Sequence, residues 1–377
     1  MSDPAGMYLH IPFCRHKCRY CDFYSVEAPS KDEIDAYLCA MEKDLQARAA
    51  GETALFDSLF VGGGTPSIAG ERLCRTIETA LSAFSFAADT EVTVEANPES
   101  LTPAILVAWK QAGVNRISIG AQSLCDGELK DLGRVHRAER VFQVCREIRE
   151  AGFDRFNVDL IFGIGHRECD LDPMTAFLQT LDGLLSIDPP HVSAYGLQIM
   201  DGTPLAQNRD CYAFPDEEQE DEMAALLCRR MRQAGYEHYE ISNFAKPGYS
   251  CRHNLKYWRG SPYLGFGPSA RSFWQGRRTG VSSDWRAYTA GKSRILLDET
   301  VDDREQAFEH LMLGLRLQEG VTFSSLQPFF KREDLDQRLA ALQKAGYLHV
   351  KQDGFSLTET GFRVSNAVIR ELKKSMK

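Results

Sequence analysis

The chain of 377 residues is 43% hydrophobic and 26% charged, enough for one large core with a smaller domain beside it. Its 44 Lys and Arg stand against 53 Asp and Glu, a net charge of −9 with an acidic run "PDEEQEDE" at 215–222, so nucleic acid is excluded as the expected partner. No apolar run reaches the roughly 18 to 20 residues that a bilayer span needs, and "MSDPAGMYLHIPFC" lacks the basic-then-apolar layout of a signal peptide; a cytoplasmic protein is expected.

From the N-terminus to about residue 200, short β-branched runs alternate with segments of helical period, the rhythm of a parallel βαβ array. Strands are predicted at 7–11, 58–62, 91–96, 116–120, 156–163 and 191–197, with helices near 32–50, 70–84, 102–112, 137–151 and 173–187. In "LTPAILVAWKQAG" Thr is the cap, Pro the first helical residue and Gly the stop. Six units are too few for a closed eightfold barrel. The expected fold class is α/β, an incomplete (β/α)6 barrel over residues 1–200. Ligands of such arrays sit at the C-terminal ends of the strands, where "GGGTPS", "EANPE", "GAQS" and a cysteine-rich loop all fall.

After residue 200 a charged helix at 216–234 leads into an aromatic, turn-rich stretch, expected as an extension and lid over the open side as far as residue 300. Residues 301–377 are expected to form a winged-helix-like α+β domain of three or four helices, with a hairpin in "YLHVKQDGFSLT". Such a domain raises a nucleic-acid reading, but "REDLDQ" is acidic and no basic recognition stripe is present.

The chain has eleven cysteines, and eight are scattered through apolar or helical stretches, where they read as small buried hydrophobes. Cys14, Cys18 and Cys21 stand apart, crowded into "IPFCRHKCRYCDFY". Structural zinc wants four ligands, so this trio would have to recruit His10 or His16. A redox "CRYC" leaves Cys14 unexplained. The sharper reading is a [4Fe–4S] cluster with three irons held by thiolates and the fourth open to an exogenous ligand.

Nearby residues suit such a ligand. Gly62, Gly63 and Gly64 let backbone groups approach closely, and Thr65 adds a hydroxyl. Glu95 could accept from a ribose or an ammonium group, or else cap a helix or pair at the surface. Gln122 supplies an amide and Arg134 a fork for a carboxylate, while Asp159 is a charge in an apolar strand that needs a partner or a function.

The C-x3-C-x2-C spacing after a first strand resembles the radical S-adenosylmethionine superfamily. The segments "YLHIPFCRHKCRYCDF", "FVGGGTPS", "VEANPE", "GVNRISIGAQS", "LGRVHRAE", "NVDLIFGI", "YEHYEISNFAKPGYSCRHNLKYW" and "YLGFGPSA" look like the oxygen-independent coproporphyrinogen III oxidase (HemN-like) family, and most like its haem chaperone branch, HemW. The resemblance implies S-adenosylmethionine on the open iron and reductive formation of a 5′-deoxyadenosyl radical. It implies Tyr8, Gly63 and Glu95 around a first S-adenosylmethionine, with Tyr20, Gly64, Thr65, Gln122, Arg134 and Asp159 around a second.

Two departures separate the branches. The oxidase carries a further cysteine where this chain has Phe23, and an N-terminal arm where this chain has six residues before Met7. "HNLKYW" matches the HNxxYW signature of the chaperone branch, so His253 is a candidate haem ligand, or else it hydrogen-bonds a loop carbonyl; Cys251 is an alternative or covalent attachment point. The implied function is a haem chaperone that passes haem to acceptor proteins, with an electron donor for the cluster; peripheral membrane contact through an acceptor and a homodimer are both compatible with it. The alternative is radical decarboxylation of coproporphyrinogen III.

Overall fold

The computed structural model describes residues 3–377. Six parallel strands follow the expected rhythm: β1 (Ala5–Ile11), β2 (Leu55–Gly63), β3 (Ser85–Ala96), β4 (Arg116–Gln122), β5 (Arg155–Phe162) and β6 (His191–Gly196). The helices between them are α1 (Lys31–Ala49), α2 (Leu73–Ala83), α3 (Pro103–Gln111), a short α4 (Asp126–Asp131), α5 (Ala138–Glu150) and α6 (Pro173–Ile187). Local chemistry starts several of these helices. Ser30 and Glu33 form a capping box on α1, Thr102 caps α3 ahead of Pro103, and Asp172 caps α6 ahead of Pro173.

Strand alternation divides the sheet into two chemically different faces. Met7, Leu9, Leu59, Val61, Val92, Val94, Ile117, Ile119, Val158 and Val192 point outward and join one core with Leu38, Trp109, Val144 and Leu184 of the helices. Their neighbours point inward and are largely polar: Ser58, Thr93, Glu95, Arg116, Ser118, Asn157, Asp159, His191 and Ser193. Side chains of all six strands, from Tyr8 to Tyr195, line a single interior cavity, so the sheet curls into an incomplete barrel.

The acidic run at 215–222 is the start of α7 (Glu217–Gln233), capped by Asp216 with Gln219; carboxylates there complement the positive end of the helix. The segment that follows extends the core sheet. Strands β7 (Glu237–Glu240) and β8 (Asn243–Ala245) extend the sheet antiparallel beyond β6. The HNLKYW segment forms α8 (Arg252–Arg259), after which β9 (Tyr263–Phe266) pairs in parallel with β1 as a seventh parallel strand. Antiparallel β10 (Arg271–Trp274), β11 (Arg277–Val281) and β12 (Ile295–Thr300) complete a 12-stranded sheet of order β12-β11-β10-β9-β1-β2-β3-β4-β5-β6-β8-β7. The segment therefore widens both edges of the sheet.

Helix α8 plugs the N-terminal end of the barrel. Glu91, buried inside β3, accepts from the backbone N–H of Arg252 at 2.9 Å and of His253 at 3.3 Å, and from the Cys251 thiol at 3.5 Å. Lys256 reaches Asp57 at 2.6 Å and the Pro4 carbonyl at 2.7 Å. Residues 303–373 hold α9 (Asp303–Gly314), β13 (Val321–Thr322), α10 (Phe323–Leu326), α11 (Arg332–Lys344), β14 (Leu348–Val350), β15 (Gly354–Leu357), α12 (Glu359–Arg363) and α13 (Ser365–Lys373) around a core of their own. The order β13-β15-β14 packed with these five helices is a winged-helix-like arrangement.

Glu91→Ala leaves the first N–H groups of α8 buried without an acceptor. It is expected to cost about 3 kcal/mol, read as a lowered denaturation midpoint, with Glu91→Gln recovering part of the loss. An unchanged midpoint for the alanine variant would show that α8 is held by other contacts.

Candidate functional site

The cysteine loop is tied down on three sides. Phe13–Cys14 pairs in parallel with Val26–Glu27 and closes its base. The backbone N–H of Gly64 donates to the Ile11 carbonyl at 2.8 Å, and that of Thr65 to the Phe13 carbonyl at 2.7 Å. On the far side the Arg19 N–H donates to the Leu132 carbonyl at 3.0 Å, while its own carbonyl accepts from Leu205 at 2.9 Å. Cys14, Cys18 and Cys21, all half-buried, face a cavity of about 640 Å³ at the C-terminal ends of the strands.

This cavity gathers most of the residues singled out in the sequence: Tyr20, Gly63, Gly64, Thr65, Glu95, Gln122, Arg134 and Asp159 line it with the three cysteines. Thr65 Oγ1 donates to Cys14 Sγ at 3.4 Å, and Arg134 Nη1 to Cys18 Sγ at 3.2 Å. The Thr65 contact favours thiolate over thiol at Cys14. Burial works the other way, raising the Cys14 thiol and holding Cys21 at about 11, so a metal centre that takes them as thiolates must displace protons.

The site fits a cluster better than a single ion. Among the described residues no three His, Cys, Asp or Glu side chains converge on one ion position. Of the histidines a zinc site would recruit, His10 is buried with Nδ1 on the Tyr8 hydroxyl at 3.0 Å, and exposed His16 faces Glu27 at 3.5 Å. An iron–sulfur cube takes one thiolate per iron and needs the sulfurs spread around a space. The glycine turn packs directly against the base of the cysteine loop: Gly63 has φ +116°, and a Cβ on Gly64 would stand 2.6 Å from the Phe13 carbonyl oxygen. Arg134 also has a buried Nε without a partner among the described residues.

Glu95 is no surface pair. It lies deep in the barrel, accepts from the Gly63 N–H at 3.0 Å, and is pushed up to about 8 by burial and then by the Asp159 charge. Asp159 finds its partners in Asn157 Nδ2 at 2.6 Å and Ser118 Oγ at 3.3 Å, and burial raises it too. Glu95, Ser118, Asp159 and Tyr195 form a waist, shared with a second, inner cavity of about 310 Å³.

The inner cavity holds the two residues that the structure separates from the cysteines, Tyr8 and His253, together with Phe60, Arg116 and Tyr257. His253 is fully buried at the plugged end, with Nδ1 on Ser58 Oγ at 3.0 Å and Nε2 on the Tyr257 hydroxyl at 2.9 Å. Burial, then Lys256 and Arg116, lower it to about 3 and keep it neutral. Both ring nitrogens of this candidate haem ligand are engaged in the structure, and these contacts seat α8 in the barrel. Cys251 is buried against Glu91.

Sequence reading missed Asn97, which donates to Thr65 Oγ1 at 3.2 Å and accepts from Arg134 Nη2 at 2.8 Å. Its place in "EANPE" was the available signal. It also missed the mouth of the cavity, where Phe23 is 68% exposed, Tyr195 43% and Met200 39%, beside Leu197. Nothing local marks Tyr195 or Met200, because the loop after β6 meets the cysteine loop only through the curl of the sheet.

With this geometry in place, the likenesses to known proteins are consistent. Residues 8–178 match the radical SAM superfamily, and residues 301–364 the HemN C-terminal domain. The chain is 34% identical to a Mycobacterium tuberculosis protein named Heme chaperone HemW, over 98% of this chain and 95% of that protein. A Bacillus subtilis protein of the same name is also 34% identical, over 96% and 97%. Among solved structures, coproporphyrinogen III oxidase (HemN) from Escherichia coli superposes with a TM-score of 0.84 at 21% identity, covering 98% of this chain and 90% of that one, a likeness of fold.

The folded Glu95 carboxyl, at about 8, lies above its ordinary 4.5, so the stability it contributes is complete at low pH and is lost as the pH rises toward 8. The melting temperature of the wild type is expected to fall across that window more steeply than that of Glu95→Gln. Superimposable pH profiles from calorimetry would remove the buried charge as the cause.

Proposed function

The chain belongs to the HemW family of the radical SAM superfamily, and from that premise we propose that it is a haem chaperone, which binds haem at the mouth of its cysteine cavity and hands it to acceptor proteins. The observation that carries this reading is identity of 34% sustained over 98% of the chain with proteins named for that role. The likeness to the oxidase extends to fold alone, and Phe23 stands where the resemblance to the oxidase branch would imply another cysteine.

In this reading Cys14, Cys18 and Cys21 hold a [4Fe–4S] cluster, which, when bound, supplies a low-potential electron and an open iron to S-adenosylmethionine. Thr65 and Arg134 steady two of the thiolates through the hydrogen bonds described above. Gly63 and Gly64 keep the cradle free of side chains, and Glu95 fixes the Gly63 N–H while offering its other oxygen to the cavity. Tyr20, Gln122 and Asp159 supply further polar contacts along the wall. Phe23, Tyr195, Met200 and Leu197 present apolar surface at the rim, which suits a porphyrin plane.

Anaerobically reconstituted wild type is expected to hold about four irons per chain, and Cys14→Ala, Cys18→Ala and Cys21→Ala each less than half as much. Full iron content in any of the three would overturn the cluster assignment.

In hemin titrations, the Soret band is expected to saturate at one haem per chain. His253→Ala should keep the wild-type spectrum, and Phe23→Ala should weaken binding roughly tenfold, or about 1.4 kcal/mol. Incubating the reduced protein with S-adenosylmethionine and coproporphyrinogen III separates the two branches: conversion to protoporphyrinogen would replace the chaperone reading with the oxidase.

A further inference from the structure

Away from the cofactor cavity, two thiols that sequence placed among inert buried cysteines stand against each other. Cys125 occupies the N-cap of α4 and is buried; Cys169, half-buried, lies on the loop between β5 and α6. They are 44 residues apart in sequence and 3.7 Å apart at sulfur.

The encounter is built by the surrounding residues. The Asp131 carboxylate accepts three consecutive backbone N–H groups of the loop, from Arg167 at 3.0 Å, Glu168 at 2.9 Å and Cys169 at 3.2 Å. His166 is pinned from two directions, by Glu128 Oε1 at 3.1 Å and by the Leu171 carbonyl at 2.8 Å. Gly127 leaves the gap through which the sulfur reaches α4: a Cβ there would stand 2.7 Å from Cys169 Sγ. On the Cys125 side, its N–H donates to Ser123 Oγ at 2.9 Å and holds the cap.

We propose that Cys125 and Cys169 form a reversible disulfide that latches the β5–α6 loop onto α4. Closing the bond from contact distance to about 2.05 Å requires only a small approach of two already adjacent sulfurs. The oxidant is a low-molecular-weight disulfide. The Cys169 thiolate attacks one of its sulfurs and expels the first thiolate, giving a mixed disulfide; the Cys125 thiolate then attacks Cys169 Sγ and expels the second. Two protein thiols lose two electrons, the external disulfide gains them, and the two protons pass to the two thiols released. Burial raises the Cys169 thiol, against a lowering hydrogen bond from the Leu171 backbone, so exchange quickens as pH rises.

The latch closes one short helix away from the cysteine loop. The end of α4 supplies the Leu132 carbonyl to the Arg19 N–H and the Asp131 carbonyl to the Arg19 guanidinium at 3.4 Å, and the following Arg134 touches Cys18. A covalent tie at the start of α4 therefore stiffens the support of the metal-binding loop without consuming any of its three thiols.

The test uses the cluster-loaded protein under anaerobic conditions, treated with oxidised glutathione, alkylated and mapped by mass spectrometry without reduction. The expected product links the Cys125 and Cys169 peptides and is released by dithiothreitol; exposed Cys211 serves as the positive control for oxidant access. Both cysteines remaining alkylatable while Cys211 is glutathionylated would overturn the proposal. Gly127→Ala is expected to lower the linked yield several-fold at unchanged Cys211 modification, and an unchanged yield would refute the part assigned to Gly127. Amide hydrogen exchange at 167–171 should slow several-fold on oxidation. A link that forms without slower exchange would overturn the latch.

Discussion

The structure depends on one constraint, that its central strands turn their polar residues inward. Thr93 and Glu95 alternate with Val92 and Val94, Arg116 and Ser118 with Ile117 and Ile119, Asn157 and Asp159 with Val158 and Leu160. The apolar set has only the outer face on which to be buried, and the helices cover it. The polar set cannot close on itself by packing, because buried polar groups cost free energy unless they are paired. The sheet therefore curls around a hollow instead of a core, and the hollow is where chemistry can be held.

The two ends of that hollow are finished differently. At the N-terminal ends of the strands, a helix is inserted and fastened by groups of opposite character: the Glu91 carboxylate on its first N–H groups, Lys256 on Asp57, and His253 between Ser58 and Tyr257. At the C-terminal ends the hollow is left open. The floor is a glycine turn, the walls are a loop carrying three thiols and a waist of Glu95 and Asp159, and the rim is exposed apolar surface. Rigidity at one end and openness at the other give the cavity a single direction of approach.

Much of this was legible in the chain. The six strands, the helices between them and the cysteine, glycine and Glu95 positions could be read because each rests on local signals: alternation, caps, turn residues and spacing. What escaped reading is what topology decides. "YLGF" is only four residues long and contains a glycine in a turn-rich stretch, so nothing local says that Tyr263–Phe266 is a parallel strand beside β1. HNLKYW advertises a histidine but not its direction, and its burial at the far end follows from a carboxylate 162 residues earlier. Cys125 and Cys169 meet for the same kind of reason: two loops on adjacent strands are brought to one rim, which no spacing rule anticipates.

The seating of β9 beside β1 also bears on how the chain is made. β1 is hydrogen-bonded on one side by β2 and on the other by residues 263–266. A ribosome adding about 5 to 20 residues per second leaves that second edge unpaired while about 250 further residues are synthesised, a wait of tens of seconds. Through that time an apolar strand, "MYLHI", offers a free edge to any other chain. Four residues late in the sequence thus set the moment in synthesis at which the first strand is protected.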